Sequence, residues 1–348
     1  MRALTVIPGV AGSARLDDLP EPEADGERLL VQGLALGVCG TDHEILDGEY
    51  GWAPPGRERL ILGHESLGRV IEAPDGGDFR AGDIVVGVVR HPDPVPCPNC
   101  AAGEWDMCRN GKYTEHGIKE LDGFAAERYL LEPALAVRLD PGLERVGVLL
   151  EPASVLAKAW EHIEAIGRRA RWEPRRALIT GAGPVGLLAA LMARQRGLEV
   201  HVLDRNTDGP KPGLVRDLGA DYVTEGVEGT CLDMDVIVEC TGAGKLVLDV
   251  MTCSAPGGIV CLTGIPPGST EKKFDVAEFT RDMVLQNDVV FGSVNANRRH
   301  YEMAAESLAR ADRSWLERLI TRRTPLGRWG EALEHRADDV KSVIDLTA

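Results

Sequence analysis

Hydrophobic and polar residues follow two textures along the chain. In the first half, apolar residues come in short alternating runs separated by Gly and Pro, as at Arg28–Leu36, Leu67–Glu72 and Asp83–Val89. Alternation of period two between turn formers predicts the strands of an irregular β domain. From about Arg175, short β-branched runs recur at Arg176–Thr180, Glu199–Leu203, Asp221–Val223, Asp235–Glu239, Gly258–Leu262 and Asp288–Phe291. Helical periodicity fills most of the gaps, as in Val185–Arg196 and Lys245–Cys253. This alternation predicts right-handed crossovers and a parallel sheet. His300 to Ile320 reads as helix, and Ser342-Val343-Ile344 as a strand that returns to the first domain. No internal repeat interrupts the pattern. It predicts an α/β chain of two domains, 1–155 with 296–348, and 156–295, with the functional site in the cleft between them.

The sharpest local signal is Gly181-Ala182-Gly183-Pro184-Val185-Gly186, set between the strand ending at Thr180 and an amphipathic helix. It fits the G-x-G-x-x-G turn of dinucleotide-binding Rossmann domains. Gly181 allows the tight turn, Gly183 the close approach of a pyrophosphate, and Gly186 the packing of helix on strand. The helix N-terminus, with Pro184 and Val185 in its first turn, then offers unpaired N–H groups and the positive end of its dipole. The second strand ends at Asp204, placed to accept the ribose hydroxyls of NAD and to repel a 2′-phosphate. Arg205 beside it could instead pair with that phosphate, so NAD is the preferred cofactor and NADP is admitted. Two further strand ends, Cys240-Thr241-Gly242 and Thr263-Gly264, are expected to flank the ribose and nicotinamide; each alone also reads as simple strand-to-loop punctuation.

Composition narrows the class. The chain has 348 residues, 44% hydrophobic and 27% charged, with a formal net charge of −16. That field repels phosphate backbones and argues against a nucleic-acid partner. The opening residues do not read as a secretory signal, and the uncharged stretch Ala177–Ala193 is too short and too rich in Gly and Pro for a membrane span. A cytoplasmic location is expected, where the eight cysteines serve as ligands, catalytic groups or core fillers rather than disulfides. Cys97, Cys100 and Cys108 have metal-ligand spacing. Cys231, Cys240, Cys253 and Cys261 lie in or beside apolar segments and read as core residues. Cys39, His64 and Glu151 are residue types that hold catalytic zinc, although each alone also reads as a core thiol, a turn histidine or a helix-start acid.

Together, residues 37–42 (GVCGTD), 61–68 (ILGHESLG), 82–86 (GDIVV), 123–127 (DGFAA) and 181–186 (GAGPVG) resemble the zinc-dependent medium-chain alcohol dehydrogenase superfamily in order and over nearly the whole chain. The resemblance implies a doubly wound Rossmann domain and a GroES-like irregular β-barrel catalytic domain. It implies a catalytic zinc on Cys39, His64 and Glu151, with Glu65 as an alternate ligand and Thr41 as the start of a proton relay. Members often carry four cysteines around a structural zinc; here the place of the first falls at Pro94, which makes Asp93 the candidate fourth ligand beside Cys97, Cys100 and Cys108.

Within the superfamily the chain looks most like the archaeal-type glucose 1-dehydrogenases. The matching pieces are Thr41-Asp42-His43-Glu44, the Glu115-x-Gly117-Ile118 step, Glu151-Pro152 with Lys158, and Gly292-Ser293-Val294-Asn295. They imply Glu115, Glu151 and Asn295 in a sugar pocket, and Ser293 and Asn295 beside the cofactor. Val155 stands where some members place an acid, and residues 88–91 lack an Asn that some members use, which leaves another aldose, an inositol or an aminocyclitol open as substrate. The reading is therefore a polyhydroxylated small-molecule substrate oxidised with NAD(P). The rivals are a simple secondary alcohol dehydrogenase and a non-catalytic NAD(P)-binding protein. The apolar last strand, Asp288–Gly292, would leave an open sheet edge, so a homodimer or homotetramer built through residues near 285–295 is expected.

Overall fold

The computed structural model describes residues 1–227, 233–266, 268 and 271–348. The chain divides into two compact units, residues 1–154 with 295–348, and residues 155–294.

Residues 155–294 carry a six-stranded sheet in which every paired neighbour is parallel. In space the order is Asp221–Val223, Glu199–Leu203, Arg176–Thr180, Met234–Glu239, Ser254–Leu262 and Val289–Gly292. The central strands are covered on both faces, with Ala177, Leu178, Ile179, Val236, Ile237 and Val238 fully buried. Burial on both faces is why they read as unbroken apolar runs rather than alternating ones. The winding reverses between Arg176–Thr180 and Met234–Glu239, and such a switch point leaves a crevice beyond the carboxyl ends of the strands. Gly181 turns the chain there at φ +86°, and Gly183 caps the helix Pro184–Gln195. Cys261 is fully buried. Cys240 is partly buried. Cys253 is buried in the core as expected, but it is disulfide-bonded where no disulfide was expected, and Cys231 lies outside the described residues.

In the other unit, Leu29–Gly37 is the middle of a seven-stranded sheet and pairs antiparallel with Glu65–Glu72, Arg128–Leu131 and Lys341–Asp345. The last of these, the strand expected from Ser342–Ile344, sets Val343 opposite Gly37 and Ile344 opposite Leu36. Leu29, Val31, Leu36, Val70, Val85 and Ile344 pack into the core beneath. The helical stretch after Asn297 is two helices, Arg298–Ala309 and Arg313–Leu319. It breaks because the Asp312 side chain accepts from Ser314 N at 2.8 Å and starts a new helix. Among the described residues no helix is long and apolar enough to cross a membrane.

A Cβ added at Gly186 would lie 1.8 Å from the Gly181 carbonyl oxygen, so backbone would have to move. Gly186→Ala is expected to cost about 2 kcal/mol, seen as a lower thermal midpoint with secondary structure retained. An unchanged midpoint would show that this turn yields without strain.

Candidate metal centre and cofactor crevice

Cys39 ends the approach of Leu29–Gly37 and is the N-cap of the helix Gly40–Leu46. The Asp42 carboxylate folds back to accept from Cys39 N at 2.8 Å, fixing the cap. Its other oxygen lies 3.5 Å from His64 Nδ1, and among the described residues neither atom has another hydrogen-bond partner. A carboxylate behind an imidazole fixes which ring nitrogen is left for a metal. Burial alone would lower the His64 pKa; Asp42 and Cys39 outweigh it and hold the imidazole well above the usual histidine value.

Glu65 follows His64 at the start of Glu65–Glu72 and is buried. Its carboxylate is paired with Lys341, which is equally buried and also donates to Val38 O at 2.9 Å. A Cβ at Gly37 would sit 2.0 Å from Glu65 Oε2, so only glycine leaves room for the pair. The Cys39 thiol, a His64 ring nitrogen and a Glu65 oxygen lie within 4.8 Å of one another. Glu151, in the first turn of Leu150–Gly167, stands outside this trio, and burial pushes its carboxyl up to about 7 while His64 and Lys341 pull it down. Thiolate, imidazole and carboxylate form a donor set suited to zinc, and these residues fit that metal. Thr41 is partly exposed in the same helix turn as Asp42.

The pocket residues differ in how far the protein already occupies them. Glu115 is held by the buried Arg90, whose Nε donates to Oε1 at 2.9 Å and whose guanidinium lies 3.6 Å from the Tyr113 ring centroid. Asn295 adopts φ +51°, and both polar atoms of its amide are buried without a partner among the described residues. Ser293 Oγ is likewise buried and unpartnered among the described residues.

Cys97, Cys100 and Cys108 also gather within 4.8 Å. Backbone N–H groups of Arg109 and Cys100 reach Cys97 Sγ and draw its thiol down to about 6, while burial pushes Cys100 up to about 11. Asp93 is not in this cluster. Its carboxylate accepts from Val95 N and from Asn110 Nδ2, both at 2.8 Å.

In the parallel-sheet unit, Asp204 Oδ2 accepts from Ala182 N in the glycine turn at 2.7 Å, and Oδ1 accepts from Asn206 N at 2.9 Å. Lys211 Nζ stands 3.6 Å from Oδ2, a cation that sequence reasoning missed; Arg205 is exposed. Thr241, Gly242, Thr263 and Gly264 sit at the carboxyl ends of their strands around the switch point.

Asp42, Lys341 and Arg90 were also missed as partners of the site. Asp42 had a local signal in its capping spacing from Cys39; Lys341 and Arg90 had none.

Comparison with known proteins identifies the family of the chain. The family described as glucose dehydrogenase C-terminus matches residues 144–346, and the alcohol dehydrogenase GroES-like domain matches residues 25–141. Glucose 1-dehydrogenase of Thermoproteus tenax is 41% identical over 99% of both chains. Glucose 1-dehydrogenase 2 of Vulcanisaeta moutnovskia is 40% identical, again over 99% of both. Glucose dehydrogenase of Haloferax mediterranei, solved in complex with NADP, Zn and gluconolactone, superposes with a TM-score of 0.90 at 31% identity over 100% of both chains. The chain belongs to the glucose dehydrogenase family of zinc- and NAD(P)-dependent medium-chain alcohol dehydrogenases.

Proposed function

We propose that the chain oxidises the anomeric hydroxyl of an aldose, with glucose as the leading candidate, to the lactone, and that NAD(P)⁺ accepts the hydride. The observation that carries this reading is the trio of Cys39, His64 and Glu65 within 4.8 Å, backed by Asp42 and Lys341. These three residues would hold zinc, and Glu151, whose carboxyl interacts electrostatically with His64 and Glu65, would be the alternate ligand. Zinc bound there supplies Lewis acidity that lowers the pKa of a hydroxyl oxygen. Thr41 would accept the proton of the substrate hydroxyl as its own hydroxyl proton is donated onward, the first link of a relay. The unpartnered Asn295 amide, Glu151 and Glu115 orient the sugar through its other hydroxyls. A pocket with polar groups left to satisfy rejects analogues that lack those hydroxyls, which favours a sugar over a simple secondary alcohol; an inositol or aminocyclitol remains the second reading.

The dinucleotide would lie over the Gly181–Gly186 turn, with its adenosine ribose near Asp204. Because Lys211 stands beside Asp204 and Arg205 is exposed, a 2′-phosphate meets two cations as well as one acid. We infer that both NAD and NADP are used. Cys97, Cys100 and Cys108 would hold a second, structural zinc, with Asp93 reaching it only by giving up Val95 or Asn110. The edge strand Val289–Gly292 and the neighbouring helix Val276–Gln286, on which Val284 is 75% and Leu285 is 72% exposed, would form the contact of a homodimer, or of each pair in a tetramer.

The direct test is NAD(P)⁺ reduction against a panel of sugars, cyclitols and secondary alcohols. Turnover with an aldose is expected to exceed that with a secondary alcohol by about 100-fold. Cys39→Ser is expected to abolish turnover, to leave dinucleotide binding within twofold, and to lower zinc by mass spectrometry from two per chain to one. Turnover that survives loss of that zinc would remove the metal from the reaction. Arg205→Ala combined with Lys211→Ala is expected to raise the KM for NADP about tenfold while that for NAD stays within threefold; equal changes would locate the selectivity elsewhere. Val284→Asp with Leu285→Asp is expected to convert the dimer to monomer by light scattering, and a native protein that is already monomeric would contradict the assembly.

A further inference from the structure

We infer that Glu239 is a positioning residue for the dinucleotide: its buried carboxylate fastens together the three strand ends that receive the cofactor. The inference rests on the cofactor reading above. Glu239 is the last residue of Met234–Glu239 and is fully buried. Its Oε1 accepts from Thr180 Oγ1 at 3.1 Å, from Thr241 N at 2.8 Å and from the Thr241 hydroxyl. Its Oε2 accepts from Gly242 N at 3.1 Å. The main-chain oxygen of the same residue accepts from Thr263 N at 2.8 Å, Gly264 N at 3.0 Å and Thr263 Oγ1 at 2.7 Å. One residue thus ties the end of Arg176–Thr180, where the glycine turn begins, to the loops after its own strand and after Ser254–Leu262.

The position makes this a matter of ligand binding as well as of stability. Thr180 and Glu239 end the two strands that flank the switch point, where the crevice of a doubly wound sheet opens. Every donor in these contacts is a neutral N–H or O–H, so local dipoles balance the desolvation of a buried carboxylate. A side chain that only filled space here would be apolar, as Ile237 and Val238 are one turn of the pleat earlier. The loops are also pressed onto the carboxylate: a Cβ at Gly264 would lie 2.7 Å from Glu239 Oε2 and 2.1 Å from Gly242 N. Glutamine has the same shape but cannot replace it. One of its two terminal atoms is a donor, and whichever way the amide turns, that donor faces an N–H or O–H that glutamate accepted.

Full-length Glu239→Gln and Thr180→Val would be compared with the native enzyme for direct binding of NADH and NADPH by fluorescence, with zinc content and sugar KM at saturating dinucleotide measured alongside. Glu239→Gln is expected to weaken dinucleotide binding about tenfold or more, and Thr180→Val about threefold. Zinc content and sugar KM are expected to stay at native values, a split that a general loss of folding would not give. Binding by both variants within twofold of native overturns the inference, even if their thermal midpoints fall. If Glu239→Gln does not fold, Thr180→Val alone decides. A native enzyme that binds neither NADH nor NADPH overturns the cofactor reading instead.

Discussion

The ion pair between Lys341 and Glu65 is the constraint around which the candidate metal centre is arranged. Both groups are almost wholly removed from water, and a buried pair repays its desolvation only with good geometry and satisfied hydrogen bonds. Lys341 meets that condition by also donating to Val38 O, one residue before Cys39. The same contact therefore sets the backbone beside Cys39 and the carboxylate of Glu65. Gly37 stands opposite Val343 and Glu65 across its two neighbouring strands and supplies the space. Removing either charge would strand the other, a loss of about 3–5 kcal/mol, and would loosen the ligand set.

Asp42 does the complementary work from the helix side. A single carboxylate caps the helix behind Cys39 and faces His64, so these two residues share one positioning group although they come from separate segments. The unpaired amide of Asn295 has the opposite character. It is held in a left-handed backbone conformation with buried polar atoms that the described residues do not satisfy. Buried polar groups without partners are rare in folded proteins, and the proposed sugar would supply hydroxyl partners for this one.

The parallel sheet was legible because short β-branched runs recur between helical stretches, and the strand at Arg176–Thr180 has the bounds its pattern gave. Cys39 and His64 were legible only through the motifs around them, since neither has a periodicity that marks a ligand. What could not be read was the pairing. Asp204 is recognisable at its strand end, but its engagement by Ala182 joins segments 22 residues apart. Asp93 looked available beside three thiols, yet nearer N–H donors occupy its oxygens. Lys341 directly precedes the strand expected at Ser342–Ile344, and the pairing of that strand beside Leu29–Gly37 buries it.

The order in which the chain is made gives that last pairing a temporal meaning. Cys39, His64 and Glu65 leave the ribosome early, and the whole of residues 155–294 is synthesised before Lys341 follows. During that interval Glu65 lacks its lysine, and the nascent ligand set carries one more uncompensated negative charge than the finished one. The charge that balances Glu65 thus arrives only with the C-terminal strand, when it pairs beside Leu29–Gly37.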